Sequence, residues 1–115
     1  MAIKEADVVL CEFYFSDLRR SKKRPVLVFK DNLPFDDFIA IPISSKIEKM
    51  QEDEVILSIE DFKEGTIPTM SKLMIRKTFV VSKSAVLKRY GSIIDESFNR
   101  YHEIFCSYFN CKKVI

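Results

Sequence analysis

Val8-Val9-Leu10-Cys11-Glu12-Phe13-Tyr14-Phe15, Pro25-Val26-Leu27-Val28-Phe29 and Phe38-Ile39-Ala40-Ile41-Pro42-Ile43 are three apolar, β-rich runs separated by polar segments. Their shortness and their β-branched and aromatic content predict strands, not helices. In the first run, period-two alternation places Phe13 and Phe15 on one face and Tyr14 on the other. The charged stretch from Ser16 to Arg24 reads as a hairpin-like loop. Pro25 then suits the start of the next strand, where a missing backbone donor is tolerated. Asp31-Asn32-Leu33-Pro34 breaks the pattern before the third run.

Working outward, Lys46 to Glu52 reads as a polar loop and Glu54-Val55-Ile56-Leu57-Ser58-Ile59 as a further β run. Leu73 to Val81 predicts one more strand, and Leu87 to Ile93 reads as a short strand or a turn. At the C-terminus Ile94, Phe98, Tyr101, Phe105 and Tyr108 recur at three- and four-residue spacing, which predicts a helix capped by Asp95 or Ser92. Several short strands followed by a helix give an α+β, mainly β class: a small, partly closed barrel with a C-terminal helix. A chain of 115 residues supports one domain, residues 1–115, with a modest core that a homodimer interface would extend.

The net charge is only +2, but the charge is segregated. Arg19, Arg20, Lys22, Lys23, Arg24 and Lys30 fall between Leu18 and Lys30 without an acid. Lys72, Arg76, Lys77, Lys83, Lys88 and Arg89 fall between Gly65 and Ile94, again without one, while acids collect from Glu48 to Glu64. If the two basic segments converge in space they form a phosphate-tracking surface; if they diverge they are solvated loops. The acidic N-terminus lacks a signal pattern and no apolar run reaches bilayer length, so a cytoplasmic protein is expected. Cys11, Cys106 and Cys111 are spaced for neither a zinc knuckle nor a redox pair and are read as reduced thiols. One histidine and no clustered carboxylates predict no metal site, and two glycines build no phosphate loop, so no cofactor is expected.

Phe15-Ser16-Asp17-Leu18, Lys22-Lys23-Arg24-Pro25-Val26-Leu27-Val28 and Pro42-Ile43-Ser44-Ser45 together resemble the MazF/PemK toxin endoribonucleases, over nearly the whole chain. The resemblance implies an SH3-like barrel of the CcdB/PemK type with external helices, paired as a homodimer. It further implies metal-independent, sequence-specific cleavage of single-stranded RNA, messenger RNA included, that stops translation and growth until a cognate antitoxin binds. One product would carry a cyclic phosphate.

Such cleavage uses the neighbouring 2′-hydroxyl as nucleophile, so a site must hold the phosphate, move two protons and stabilise charge. Arg24 matches the family arginine before this proline, and its planar fork suits a phosphate. Ser44 ends an apolar run and matches a family threonine or serine; its competing role is a turn serine bonding its own backbone. Asp17, Arg20, Lys22, Lys23, Ser45 and Lys46 are read as RNA contacts. Met74 stands where relatives often carry an arginine. Arg76, two residues on and on the same face of a strand, is the candidate replacement. Ala6 and Ser82 also depart from the family glycine and aspartate. Tyr14, Phe35 and Tyr90 are candidate base-stacking rings, each with a structural role as the alternative, and His102 is expected on the surface. A non-catalytic SH3-like module that binds RNA or protein is the rival reading; a gyrase poison of the CcdB type would need a C-terminal tryptophan, which this chain lacks.

Overall fold

The computed structural model of the chain describes residues 2–14 and 19–111. Its centre is a meander of β1 (Asp7–Tyr14), β2 (Ser21–Leu33) and β3 (Asp37–Ser44). Both faces of this meander are buried, which explains why its strands read as continuous apolar runs. Alternate residues Val8, Leu27, Phe29, Ile41 and Ile43 feed one core, and Val9, Val26, Val28, Phe38 and Ala40 feed a second on the opposite face. Four short strands and one of eight residues complete a curled, partly closed antiparallel sheet: β4 (Glu54–Leu57), β5 (Phe62–Gly65), β6 (Ser71–Met74), β7 (Phe79–Ser82) and the longer β8 (Val86–Ile93). The order is β4-β6-β3-β2-β1-β8-β5, with β7 also on β3.

The segment Leu87 to Ile93 is thus a strand, and it meets β5 where the only two glycines of the chain face each other. A Cβ on Gly91 would lie 2.1 Å from the Glu64 carbonyl, so no side chain fits at this crossing. Two sequence expectations are corrected. Ser21–Arg24 belong to β2 and not to a loop, because they pair with Glu12 to Tyr14 and Cys11 on β1; Pro25 therefore lies inside its strand. The expected strand from Leu73 to Val81 is broken by a 3-10 turn at Ile75–Lys77. Between Ala40↔Phe79 and Ile43↔Leu73, β3 advances by Ile41 and Pro42 while its partner advances from Met74 to Thr78, so the extra residues leave the ladder as a turn, whose Ile75 packs into the first core.

Helix α1 (Asp95–Phe109) lays Tyr101 fully into the first core, flanked by Phe98 and Phe105, whose rings meet Phe29 at 5.8 and 4.6 Å. Neither Asp95 nor Ser92 caps it: Ile94 occupies the cap position with no side-chain bond, and the Ser92 hydroxyl bonds Asp7. Asp95 and Glu96 instead sit in the first turn, where they complement the helix dipole. His102 is exposed on α1, as its place off the apolar stripe predicts, and its ring also stacks on Phe29. Among the described residues no helix is long and apolar enough to cross a membrane. Cys11 is buried, and burial pushes its thiol up to about 11; Cys106 and Cys111 are free thiols near the end of α1.

The helix is tied to the sheet by Asp61, which accepts hydrogen bonds from the Ser58 N–H at 2.9 Å and the Ser97 hydroxyl at 2.7 Å and pairs with Arg100 at 3.3 Å. Burial opposes ionisation of this carboxyl, but the donors outweigh it and hold its pKa below the ordinary value. A carboxyl depressed in the folded state stabilises fully above its unfolded pKa of about 3.9 and loses that contribution as pH falls through the folded value. The urea midpoint is therefore expected to fall as pH drops below about 4. Asp61→Asn should be less stable at neutral pH and show a shallower fall, the remainder coming from Asp31 and Glu54, whose carboxyls are also held low.

Candidate active site

The β2–β3 ladder stops at Val26↔Pro42. The next residue on β2 is Pro25, so the ladder ends at two prolines that have no N–H to donate. Continuing the register would set Arg24 opposite Ser44; instead β3 carries Ile43 and Ser44 away to pair with β6. Arg24 and Ser44 thus flank the fork where two strands part. The fork opens into three adjoining cavities of about 500, 420 and 400 Å³, and among the described residues Arg24 alone lines all three.

The first cavity brings both basic segments together: Arg24 from one, and Lys72, Arg76 and Lys77 from the other, with Ser44 and Lys46 between them. The convergence is partial. Lys83 pairs with Asp31 at 3.0 Å and Arg89 with Glu64 at 3.0 Å, away from the fork. Arg24 is half-buried on a strand, not a cation on an exposed loop, so its backbone is fixed on both sides of the proline junction. The Ser44 oxygen accepts the Lys46 N–H at 3.1 Å. The turn-serine role therefore holds, yet it uses only a lone pair and leaves the hydroxyl proton to donate into the cavity.

Lys22 and Lys23 line the third cavity with Ser45 and Lys46, and Lys22 also lines the second. Arg20 is exposed just before β2 and lines none of the three. Asp17 lies outside the described residues. Tyr14 and Tyr90 reach the second and third cavities, whereas Phe35 is 92% exposed on a turn and reaches none of them.

Met74 is buried in the wall shared by the first two cavities. The expectation that Arg76 shares its face by strand alternation is corrected, because Arg76 stands on the 3-10 turn. The turn nevertheless delivers it to the first cavity, where its backbone N–H donates to Asp53 at 2.8 Å and its Nε lies 3.8 Å from the same carboxylate. Half of its side chain is still exposed.

A lysine–glutamate pair that sequence reading misses forms part of the first cavity. Lys72 Nζ lies 2.7 Å from Glu54 Oε1, with side chains 9% and 5% exposed, and also donates to the Lys49 carbonyl at 2.8 Å. Burial disfavours the Glu54 anion, but Lys72 and the Gln51 N–H prevail and hold the carboxyl low. The signal available in the sequence is Lys72 within Ser71-Lys72-Leu73-Met74, a charge inside an otherwise core-forming strand. Among the described residues no group of three His, Cys, Asp or Glu is placed to hold a metal ion.

Residues 4–109 match the sequence profile of the PemK-like, MazF-like toxins of type II toxin-antitoxin systems. The chain belongs to this toxin family. Solved structures of like fold include the MazE-MazF complex of Deinococcus radiodurans, 13% identical, covering 97% of this chain and all of that one at a TM-score of 0.76. A mycobacterial endoribonuclease in complex with its cognate antitoxin is 12% identical, with 98% and 100% coverage and a TM-score of 0.74. The Mycobacterium tuberculosis toxin MazF-mt6 is 14% identical, with 90% and 96% coverage and a TM-score of 0.69. Curated protein sequences give no match. At these identities the structural likeness is one of fold, and it agrees with the mainly β, partly closed barrel and C-terminal helix read from the sequence; where the resemblance implied several external helices, α1 is the one α-helix among the described residues.

Proposed function

We propose that this MazF/PemK-type toxin is a metal-independent, sequence-specific endoribonuclease that cuts single-stranded RNA at the β2–β3 fork, acting in the cytoplasm as a homodimer of one-domain chains. The observation that carries the reading is Arg24, set at the junction of three cavities, two of which it lines together with Ser44. A guanidinium there can grip the non-bridging oxygens of one phosphate while flanking nucleotides run into the neighbouring cavities. The Ser44 hydroxyl adds a neutral donor, and Lys22, Lys23, Ser45 and Lys46 track the adjoining backbone. Single strands fit because their unstacked bases can be splayed into cavities.

In the reaction the 2′-oxygen bonds to phosphorus as the bond to the 5′-oxygen breaks. The 2′-hydroxyl loses a proton and the leaving oxygen gains one, so no water is consumed and the products are a 2′,3′-cyclic phosphate and a 5′-hydroxyl. Charge grows on the phosphoryl oxygens in the transition state, where a preset cation is most effective. Cutting messenger RNA in this way would stop translation and growth. The two like-fold complexes with antitoxins support a cognate antitoxin here, whose acidic segment would lie over the same cations.

Incubation with mixed single-stranded RNA and a chelator tests the reading: cutting supports it, whereas binding without cutting supports a non-catalytic module, the alternative that Met74 favours. Arg76 separates a working from a weakened site. If its exposed guanidinium stabilises developing charge, Arg76→Ala should slow cleavage by about a hundredfold with little change in RNA affinity, and Arg76→Lys should recover only part. If both variants cut at the wild-type rate, Arg76 serves only Asp53, and a gain on Met74→Arg would mark the chain as a weakened member of its family.

A further inference from the structure

We infer that the second cavity is a nucleobase pocket for one of the two nucleotides flanking the cut, and that it selects a keto base, guanine above uracil. The inference rests on the RNA-cleaving reading and names a specificity site for it. The walls are Phe13, Phe79, Pro42 and Tyr14, and Phe13 and Phe79 stand 5.5 Å apart with their planes tilted at 56°. Tyr14 is 62% exposed at the end of a strand that places Val8, Val9 and Cys11 in the core. Apolar rings lining a cavity of about 420 Å³ gain from a planar partner, and the cavity has room for one base with its sugar.

Charge decides the occupant. Arg24, with Met74 and Lys77, forms the wall between this cavity and the first, which holds Ser44, so a base seated against the rings belongs to a nucleotide whose phosphate reaches Arg24. The other polar side chains are Lys22 and Lys77, and lysine and arginine only donate hydrogen bonds. The Tyr14 hydroxyl lies 3.5 Å from a Glu12 carboxylate oxygen and is turned that way. A rim of donors pairs with a base edge made of acceptors. Guanine offers O6 and N7 side by side, whereas adenine and cytosine present an amino group that would meet a cation. Uracil offers carbonyls too, but its single ring stacks over less area.

The test is cleavage of a single-stranded RNA library, randomised in sequence, with the cut ends read by sequencing. The wild-type chain should favour guanine over adenine by about tenfold or more at one flanking position, with uracil second. Tyr14→Ala, at an exposed position, and Phe79→Leu, which keeps apolar volume, should flatten the base preference. Lys77→Ala should bring guanine and adenine closer together. Cutting by the wild type with no keto preference at either flanking position, or a preference that all three variants retain, overturns the pocket while leaving the nuclease reading intact. Failure of the folded wild type to cut any member of the library overturns both.

Discussion

Arg24→Ala is expected to lower the rate of RNA cleavage by at least about a hundredfold, the scale at which loss of one preorganised charge donor is felt in a transition state. Arg24 is half-buried within the β1–β2 ladder, opposite Cys11, and among the described residues no carboxylate partner is left stranded by its removal. The variant should therefore unfold within about 0.5–1 kcal/mol of the parent, measured by urea denaturation. Lys22→Ala and Lys23→Ala should differ in kind. Each should weaken RNA binding and reduce its dependence on salt by about one counterion, without a comparable loss of rate once RNA is saturating. Arg24→Lys keeps a charge but loses the fork, and should recover only part of the rate.

The second large effect is on stability. Lys72→Met leaves the Glu54 carboxylate buried without its cation and should cost about 3–5 kcal/mol, a large share of what a chain of this size has. Glu54→Leu strands the ammonium in the same way. Replacing both at once with apolar residues should be much less harmful than the sum of the single changes, because neither charge is then left unpaired. Equilibrium unfolding of the two single variants and the double variant gives the coupling directly. Additive losses would show that the pair acts through independent contacts, such as the Lys49 carbonyl held by Lys72.

The barrel's main strands and its helix were legible because burial writes itself locally. Val26 to Phe29 and Phe38 to Ile43 are nearly unbroken core, and Phe98, Tyr101 and Phe105 recur at helical spacing. Ser21–Arg24 were not legible as strand, since an edge that faces a charged groove carries no apolar alternation. The turn at Ile75–Lys77 was hidden for a different reason: it has neither glycine nor proline, and Ile75, Thr78, Phe79 and Val80 all favour strands.

At the site, Arg24 and Ser44 were found through their resemblance to family positions, not through spacing. Their positions on either side of the fork depend on a ladder that ends at Pro25 and Pro42, and the point where two neighbouring strands part cannot be read from either one alone. The Glu54–Lys72 pair has the same origin. Ile56↔Lys72 and Glu54↔Met74 in the β4–β6 register make the two charges diagonal neighbours, a relation that exists only once the strands are paired. Arg76 lines the same cavity as Met74, not by strand alternation but because the turn that interrupts its strand carries it there.

The proposed chemistry turns on the 2′-hydroxyl, so the most direct measurement compares two oligonucleotides that differ only at the cleaved nucleotide, one ribose and one 2′-deoxyribose, both with chelator present. Wild-type protein should cut the first to a 2′,3′-cyclic phosphate and a 5′-hydroxyl, leave the second whole while still binding it, and lose the cut on Arg24→Ala. Cleavage of the deoxyribose substrate, or undiminished cleavage of the ribose one by a folded Arg24→Ala variant, would contradict the account.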